Sequence, residues 1–331
     1  MFKSKRRLPL KILFFGSSEI SVPFLEEIYK SRHSITSVVT TTDKPAGRGR
    51  RTTPNIVKSK AAELGIDFMQ VEGFDDNFFN EFKKLEFDTA VVASFGKILP
   101  ERIFKPTTAR WLNVHPSLLP RYRGPTPIIS ALLNGDKVGG VSIIEVVYEV
   151  DAGKIYAQVK FGVEEDDNKD SLEQKSIKFG KPILMAVLDL IEDKNINPYP
   201  QDEKNVIYSY KIAKEDLKIN WNSSAMEIVN KVRAFSSKPG AYCLWKGLRI
   251  KILKAGVLSG AASDAHLDKL KFGENEKNGL VVEADKKTGI LVSCNKNEMV
   301  KIERLKPQGG KVMSAADFIN GYRLEAGENF D

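Results

Sequence analysis

Short apolar runs alternate with helical segments over the first hundred residues. KILFFG (11–16), SITSVVTTTD (34–43) and DTAVVASFG (88–96) have the length and composition of buried strands. SVPFLEEIYK (21–30) and residues 54–64 have apolar residues at helical spacing. Strands that alternate with helices form a parallel sheet with helices on both faces. We therefore expect an α/β fold with a Rossmann-like, mostly parallel sheet.

The same pattern continues into the second hundred residues. WLNVHPS (111–117) predicts a further strand, and residues 139–163 predict two strands joined by the turn EVDAGK. Residues 171–194 have the spacing of an amphipathic helix. Ser17 and Ser18, which precede the first helix, are the residue type that caps helices.

A polar segment separates this pattern from a different one. NINPYPQDEK (195–204) has the composition of a linker, so we expect a catalytic domain over residues 1–207 and a second domain over 208–331. After a helix over 223–235, five short alternating segments between 241 and 305 predict a small OB-like β-barrel. Such barrels often bind nucleic acid. A barrel that only braces the first domain is the alternative interpretation.

The charge of the chain is unevenly distributed. The net charge is +8, and residues 211–331 carry 21 Lys and Arg against 15 Asp and Glu, so +6 lies in that last third. A basic surface of this kind favours a polyanion such as RNA as a partner. A lysine-rich proteome would give the same balance without such a partner.

The sequence also bears on location and on cysteine chemistry. No apolar run approaches the roughly 20 residues that span a bilayer, and the N-terminus lacks a cleavage-site pattern. We expect a cytoplasmic protein, with an organellar presequence as the alternative. Cys243 and Cys294 lack CxxC spacing and are interpreted as reduced core thiols, without a metal site. No obligate protein partner is evident.

A nicotinamide cofactor is disfavoured by the first strand–helix turn. FFGSSE (14–19) contains one glycine, where a dinucleotide-binding turn has three at GxGxxG spacing. The chain therefore has no evident cradle for a pyrophosphate at this turn.

An asparagine and a histidine lie two residues apart in a predicted strand. In LNVHP, Asn113 and His115 point to the same face of the strand, because side chains alternate, while Val114 points to the core. At the carboxyl end of a parallel strand they would open into the crevice where such sheets bind ligands. An amide and an imidazole both donate to an oxygen that gains negative charge. A structural cap and a buried histidine are the alternative interpretation.

The residues around this pair favour a functional interpretation. PSLLP and RGPTP stiffen the chain after His115, and the Leu119–Pro120 bond is a candidate cis peptide. Asp151, in the EVDAGK turn, is the carboxylate best placed to approach the pair.

HPSLLPRYRGPTP, with Asn113 upstream and VDAGKI downstream, resembles the signature of enzymes that take a formyl group from 10-formyltetrahydrofolate. The resemblance implies that Asn113, His115 and Asp151 are the catalytic residues. It also implies that the folate binds mainly to loop backbone near residues 94–98 and 146–151. The folate-binding residues expected from it are Phe95, Gly96, Ile98, Ser117, Leu118, Leu119, Pro120 and Val150. Phe95 stands where this family usually has Tyr.

Two further segments are similar to the branch of this family that formylates methionyl initiator tRNA. TTDKPAGRGRRTTPNIVK (41–58) is similar to a basic loop of that branch, and residues 304–323 are similar to its C-terminal end. The resemblance implies that Lys44, Arg48, Arg50 and Arg51 contact tRNA phosphates, with Arg48 inserted near the first base pair of the acceptor stem. A solvated loop is the alternative.

In the reaction that the resemblance implies, the methionine amino group attacks the formyl carbon. Asn113 and protonated His115 would donate to the oxyanion, while Asp151 keeps His115 charged and relays the amine proton. No metal is required. Two alternatives remain open: a formyltransferase for a small amine, such as an amino-sugar nucleotide or glycinamide ribonucleotide, and an RNA-binding module without catalysis.

Overall fold

The computed structural model describes residues 8–46, 51–104, 108–258, 278–295 and 298–331. The chain divides into two compact units. Unit 1 comprises Met1–Pro127, Val138–Gly162 and Glu173–Tyr210, and unit 2 comprises Ile128–Lys137, Val163–Leu172 and Lys211–Asp331. The two short segments of unit 2 that precede residue 173 were not indicated by the sequence pattern, which placed a single domain boundary between residues 207 and 208.

Unit 1 contains a seven-stranded sheet in the order β5-β2-β1-β6-β7-β8-β9. The first five strands in this order (β5, β2, β1, β6 and β7) pair in parallel. Strand β8 is antiparallel to both β7 and β9. The predicted α/β class with a mostly parallel sheet is therefore confirmed. The strands are β1 (Lys11–Gly16), β2 (Ser34–Thr41), β5 (Phe68–Val71), β6 (Thr89–Ala93), β7 (Arg110–His115), β8 (Val138–Glu145) and β9 (Ile155–Gly162). A separate hairpin is formed by β3 (Lys44–Ala46) and β4 (Arg51–Thr53).

The N-terminal cap of the first helix differs from the one that the sequence predicted. The prediction that Ser17 and Ser18 cap the first helix is wrong, because Ile20 occupies the cap position without a side-chain hydrogen bond. The hydroxyl of Ser21 instead accepts hydrogen bonds from the backbone N–H groups of Ser17 and Ser18. The helices that contribute to unit 1 are α1 (Ser21–Tyr29), α2 (Ile56–Glu63), α3 (Asp76–Phe82) and most of α5 (Lys169–Glu192). Within the described ranges, no helix is both long and apolar enough to cross a membrane.

An aromatic cluster packs beside the central strands of this sheet. The ring of Phe15 on β1 contacts Phe95 edge-on, at 5.3 Å between centroids, and Trp111 on β7 at 5.4 Å. Phe104 packs edge-on against Trp111 as well, at 5.1 Å. Such pairs contribute packing energy beyond the area that they bury. The cluster therefore fixes the position of β7 relative to β1.

The segment predicted as a linker is attached to unit 1. Tyr199 pairs with Ile155 at the start of β9 through two backbone hydrogen bonds of 2.8 and 3.0 Å. Further along, Ile207 and Ser209 exchange backbone hydrogen bonds with Arg123. Proline and polar residues gave this segment the composition of a linker, but its backbone groups are paired with neighbouring segments. It therefore belongs to the folded unit.

Unit 2 contains an antiparallel sheet in the order β10-β11-β14-β13-β12, with β15 paired to β14. The predicted second domain of short strands is thus confirmed. The strands are β10 (Ala241–Trp245), β11 (Leu248–Val257), β12 (Val281–Asp285), β13 (Gly289–Ser293), β14 (Met299–Pro307) and β15 (Met313–Ser314). Its helices include α6 (Ala225–Phe235) and α7 (Ala315–Tyr322), both with capping boxes, and α4 (Pro127–Leu133) contributes all but its first residue.

The C-terminal segment lies between the two edge strands of this sheet. Leu244 on β10 exchanges two backbone hydrogen bonds of 2.8 Å with Asp331, and Val281 on β12 donates one of 2.8 Å to Glu328. Between these contacts, the ring of Phe330 is fully buried and lies 6.2 Å from that of Trp221. The segment thus covers both edges, as closure of a barrel requires.

The two cysteines are free thiols in the interior of unit 2. Cys243 on β10 and Cys294 after β13 are both buried. Burial raises the pKa of Cys294 to about 12 and also raises the pKa of Cys243. Both thiols are therefore protonated and unreactive, which agrees with their interpretation as reduced core residues.

We predict that Phe330→Ala destabilises unit 2, because it removes a fully buried ring from the segment that closes the sheet. The expected loss in free energy of unfolding is about 3 to 5 kcal/mol, measured by denaturant titration of the whole chain. The control Glu325→Ala changes an exposed residue of the same segment and should leave the midpoint nearly unchanged. Equal midpoints for both variants would contradict the closing role.

Candidate active site

Strand β7 positions the predicted Asn/His pair at its carboxyl end. Asn113 is paired with Val92 of parallel strand β6 and with Ile144 of antiparallel strand β8. His115, two residues on, is the last residue of the strand. Val114 between them is buried, as the alternation of side chains predicted. The pair therefore lies where the sheet changes from parallel to antiparallel pairing.

Asp151 lies in the connection between β8 and β9, and its carboxylate meets groups from two other segments. Its Oδ1 accepts a hydrogen bond of 3.0 Å from the side-chain amide of Asn113. Its Oδ2 accepts one of 2.9 Å from the backbone N–H of Gly124 and lies 3.5 Å from Nδ1 of His115. The structure thus brings together Asn113, His115 and Asp151, which are separated by up to 38 residues in the sequence.

The two ring nitrogens of His115 have different partners. Nε2 lies 2.9 Å from the backbone carbonyl oxygen of Tyr122. Because a carbonyl oxygen only accepts, Nε2 must carry a proton and donate it. Nδ1 is therefore the nitrogen that faces Asp151, and the ring itself is almost fully buried. This assignment limits any exchange of a proton with Asp151 to Nδ1.

A glycine permits the turn that carries Asp151 to lie against β8. A Cβ atom on Gly153 would lie 1.8 Å from the backbone oxygen of Glu145, the last residue of the strand. A hydrogen bond of 2.8 Å from the N–H of Glu145 to the carbonyl of Lys154 also joins the end of the strand to the end of the turn. No side chain fits at position 153 without moving the backbone.

The loop that follows His115 is held by internal hydrogen bonds. The hydroxyl of Ser117 donates to the carbonyl of Arg121 at 2.6 Å. The amide of Gln158 donates to the carbonyl of Leu119 at 2.9 Å. The Leu119–Pro120 bond is cis, as predicted. Of the four expected folate-binding residues here, Ser117 and Leu119 are buried, whereas Leu118 and Pro120 are partly exposed.

Two other loops carry the remaining expected folate-binding residues. The ring of Phe95 is buried in the aromatic cluster, so only its backbone can line a site. Gly96 has a positive φ of 73°, a backbone conformation that favours glycine. Ile98 is 80% exposed and Val150 is 52% exposed, although both are apolar. The side chains of Ile98 and Val150 are therefore accessible on the surface of unit 1.

The basic residues expected at tRNA belong to the β3–β4 region. Lys44 lies in β3 and Arg51 in β4, whose side chains are not described, and Arg48 and Arg50 lie outside the described residues. Just before β3, the carboxylate of Asp43 accepts a hydrogen bond of 2.8 Å from Lys58. This bond, with those from Asn55 and Gln70, lowers the pKa of Asp43 to about 2.

Three residues of the site neighbourhood were not predicted from the sequence. Arg123 is almost fully buried, and its guanidinium donates to both carboxylate oxygens of Glu203. Gln201 accepts a hydrogen bond from Arg123 and donates to backbone near Asp151. Gly124 supplies the N–H that binds Asp151. Arg123 and Gly124 both had a signal, their place in the RGP motif, which did not reveal their partners. Gln201 stands in a segment that resembled a linker.

One other cluster has the residue types of a metal site. His33, Asp189 and Glu192 each place a potential ligand atom within 4.8 Å of the others, a grouping found among the described residues. Nη2 of Arg32 lies 2.7 Å from Asp189 and 2.7 Å from Glu192. Burial lowers the pKa of His33, whose Nδ1 accepts from the N–H of Leu10. The guanidinium of Arg32 already pairs with both carboxylates, so the cluster is an ion-pair network.

We predict that Gly153→Ala displaces the turn that carries Asp151, since the added Cβ meets the carbonyl of Glu145. The free energy of unfolding should fall by about 1 to 3 kcal/mol, as measured by urea titration. Gly73→Ala is the matched control, because nothing lies within 4 Å of its Cβ position. A Gly153→Ala variant as stable as Gly73→Ala would show that the close approach is not required.

Comparisons with known proteins agree with this architecture. The sequence profile described as "Formyl transferase" matches residues 10–188, and that described as "Formyl transferase, C-terminal domain" matches residues 211–323. The methionyl-tRNA formyltransferase of Dictyoglomus thermophilum is 39% identical over 324 residues, which are 97% of this chain and 100% of that protein.

Solved structures of low sequence identity share the fold. The N-formyltransferase from Helicobacter canadensis, in complex with folinic acid and dTDP-3-aminofucose, superposes with a TM-score of 0.63 at 19% identity, covering 88% of this chain and 98% of that one. HypX from Aquifex aeolicus, in complex with tetrahydrofolic acid, gives 0.61 at 19% identity over 97% of this chain and 48% of its own. The chain thus spans about half the length of HypX. On its sequence and on both matched domains, the chain belongs to the formyl transferase family.

Proposed function

We propose that this chain transfers a formyl group from 10-formyltetrahydrofolate to the amino group of methionyl initiator tRNA. The observation that carries the proposal is the convergence of Asn113, His115 and Asp151 at the end of β7. Family membership supports the formyl chemistry, and the name of the full-length relative from Dictyoglomus supports the acceptor. The relatives are bacterial, which supports the cytoplasm as the place of action.

The first requirement of the reaction is to stabilise charge on the formyl oxygen. Attack by the amine gives this oxygen a negative charge, and one preorganised donor in such a position contributes about 3 to 4 kcal/mol. Asn113 donates one amide hydrogen to Asp151, and the described residues supply no acceptor for the second. This second hydrogen would donate to the formyl oxygen. The bond to Asp151 fixes the amide plane, so the donor needs no reorientation during the reaction.

The second requirement is to remove a proton from the attacking amine. A carboxylate only accepts, and Asp151 is the carboxylate that meets both other residues of the trio. It would take the proton directly or through a water molecule. His115 would share that proton through Nδ1. The direct donation from protonated His115 to the oxyanion, which the resemblance implied, is disfavoured because Nε2 is bonded to the carbonyl of Tyr122 and Nδ1 faces Asp151. The proton finally passes to the nitrogen of the leaving tetrahydrofolate.

The folate donor would bind between loops whose exposed atoms are partly apolar. Ile98 and Val150 would cover the faces of the pterin, and Gly96 would let it approach the backbone. Phe95 would contribute backbone groups only, because its ring is packed in the core. From the loop after His115, Leu118 and Pro120 are partly exposed, whereas Ser117 and Leu119 would act through backbone and loop shape.

The tRNA would be held mainly by positive charge. Lys44, Arg48, Arg50 and Arg51 lie within eight positions of one another in the sequence, and residues 211–331 add a net charge of +6. Phosphate contacts by such residues release counterions and make binding depend on salt. At the start of this basic segment, Asp43 is tied to Lys58 of α2. That contact gives the segment a fixed point of attachment to unit 1.

A formyltransferase for a small amine is the nearest alternative, and its catalytic trio would be the same. We would incubate the protein with 10-formyltetrahydrofolate and charged initiator tRNA, glycinamide ribonucleotide or an amino-sugar nucleotide, each in a separate reaction. Formyl-methionine should appear with the tRNA, and the two small amines should remain unmodified. Formylation of a small amine in place of the tRNA would contradict the proposed acceptor.

We predict that His115→Ala, Asp151→Ala and Asn113→Ala each lower kcat by two or more orders of magnitude, since each removes a group that acts on the reacting atoms. The KM for charged tRNA should change much less, because phosphate contacts provide most of the binding. Steady-state formylation assays would measure both constants. The control Asp76→Asn alters an exposed carboxylate of unit 1 and should retain parental kcat. Near-normal turnover in His115→Ala and Asp151→Ala would refute the assignment.

We predict that Arg48→Ala raises the KM for charged initiator tRNA and leaves the KM for the folate unchanged. Loss of one phosphate contact should also reduce the slope of log affinity against log salt by about 0.7 to 0.9. Filter binding at several salt concentrations would measure the slope. Lys84→Ala, which removes an exposed lysine paired with Glu81, is the control. A parental salt slope and KM in Arg48→Ala would exclude a tRNA contact by this residue.

A further inference from the structure

Gln201 lies beside the catalytic turn, yet the mechanism above does not use it. It is buried in unit 1, although the polar segment 195–204 around it is largely exposed. Its side-chain nitrogen donates to the backbone carbonyls of Asp151 and Gly153, at 2.7 Å each. Its side-chain oxygen accepts from Nε of Arg123 at 3.0 Å. Both hydrogens and the oxygen of the amide are therefore engaged.

These partners fix the orientation of the Gln201 amide. Carbonyl oxygens only accept and a guanidinium only donates, so the amide nitrogen must face Asp151 and Gly153 while the oxygen faces Arg123. A flipped amide would oppose donor with donor and acceptor with acceptor at all three contacts. The side chain therefore has one satisfied position.

Arg123 links the same amide to the other side of the site. Its guanidinium is held by both carboxylate oxygens of Glu203, at 2.6 and 3.2 Å. Although burial alone would lower the pKa of Arg123, the hydrogen bond with Glu203 raises it. The next residue is Gly124, whose N–H binds Oδ2 of Asp151. Gln201 thus contacts the backbone of Asp151 directly, and through Arg123 it reaches the segment that binds the carboxylate.

The backbone of Asp151 needs such support. Its φ of +53° lies in the left-handed region, which L-residues other than glycine seldom occupy. A residue keeps such a conformation only when its surroundings hold it there. The two hydrogen bonds from Gln201 span the carbonyls of residues 151 and 153, and so they fix the part of the turn that sets the direction of the Asp151 side chain.

We propose that Gln201 is a positioning residue for Asp151, held in place by Arg123 and Glu203. The proposal rests on the proposed function, in which Asp151 accepts the amine proton. Gln201 touches neither substrate in this mechanism. Its loss should therefore lower kcat and leave both substrate affinities nearly intact, because a small displacement of a catalytic group reduces rate far more than binding.

Two variants separate the contacts of Gln201. Gln201→Met removes the donors and the acceptor, whereas Gln201→Glu keeps an oxygen for Arg123 and removes both donors to the carbonyls. We predict that both lower kcat by roughly 10- to 100-fold, with the KM values for folate and for charged tRNA within about threefold. Asn205→Ala is the control, since this exposed residue bonds only to Asp202 through its side chain among the described contacts. It should retain parental kcat.

A double-mutant cycle tests whether Gln201 acts through Asp151. In the Asp151→Ala background, Gln201→Met should change the remaining kcat by less than about twofold, because the group that it positions is gone. A purely structural role would lower kcat by the same factor in both backgrounds, and that result would overturn the proposal. So would parental kcat in Gln201→Met and Gln201→Glu. Thermal unfolding of each variant verifies that it is folded. If Gln201→Met does not fold, Gln201→Glu replaces it in the double-mutant cycle.

The activity of the parent protein shows whether the proposed function or the positioning role of Gln201 has failed. If the parent does not formylate charged initiator tRNA, the proposed function is wrong. If the parent is active and the Gln201 variants follow the parent, only the positioning role is wrong.

Discussion

The site depends on one carboxylate that joins three parts of the chain. Asp151 accepts hydrogen bonds from Asn113 of β7 and from the N–H of Gly124, and it faces Nδ1 of His115. A carboxylate shielded from water needs such partners, because leaving its charge unpaired is costly. The bond from Asn113 also orients its amide, and Nδ1 of His115 faces the carboxylate while Nε2 is bonded to the carbonyl of Tyr122. The contacts that satisfy the charge of Asp151 therefore also hold Asn113 and His115 beside it.

The arrangement follows from a change of strand direction within the sheet. Parallel strands deliver their carboxyl ends to one edge, and β7 ends there with His115. The antiparallel strand β8 begins near the carboxyl end of β7 and runs toward the amino end of β7. The turn after β8 must therefore fold back along the sheet to reach His115. It returns because Glu145 bonds to Lys154 and because Gly153 permits backbone contact, and Asp151 in this turn lies beside Asn113. The position of the Asp151 side chain thus depends on residue 153 being a glycine.

Much of this could be predicted from the sequence, because the signals are local. The alternation of strands and helices gave the sheet, and the period of two placed Asn113 and His115 on one face, as β7 shows. The role of Ser21 and the capping of α1 were missed because three serines lie within five residues and any of them satisfies the pattern. Gln201 was missed for a different reason. Its partners are 50 and 78 residues away, and proline and polar neighbours made its segment resemble a linker.

The network around Arg123 is better explained by geometry than by stability. A buried charge loses its hydration, and the attraction of its partner often does no more than offset this loss. Glu203 is largely exposed, so solvent screens part of its attraction for Arg123. What the pair does provide is a planar guanidinium in one orientation, with Nε directed at Gln201. The amide of Gln201, oriented by this bond, donates a hydrogen bond of 2.7 Å to the carbonyl of Asp151. The ion pair therefore matters more for the position of Asp151 than for the stability of unit 1.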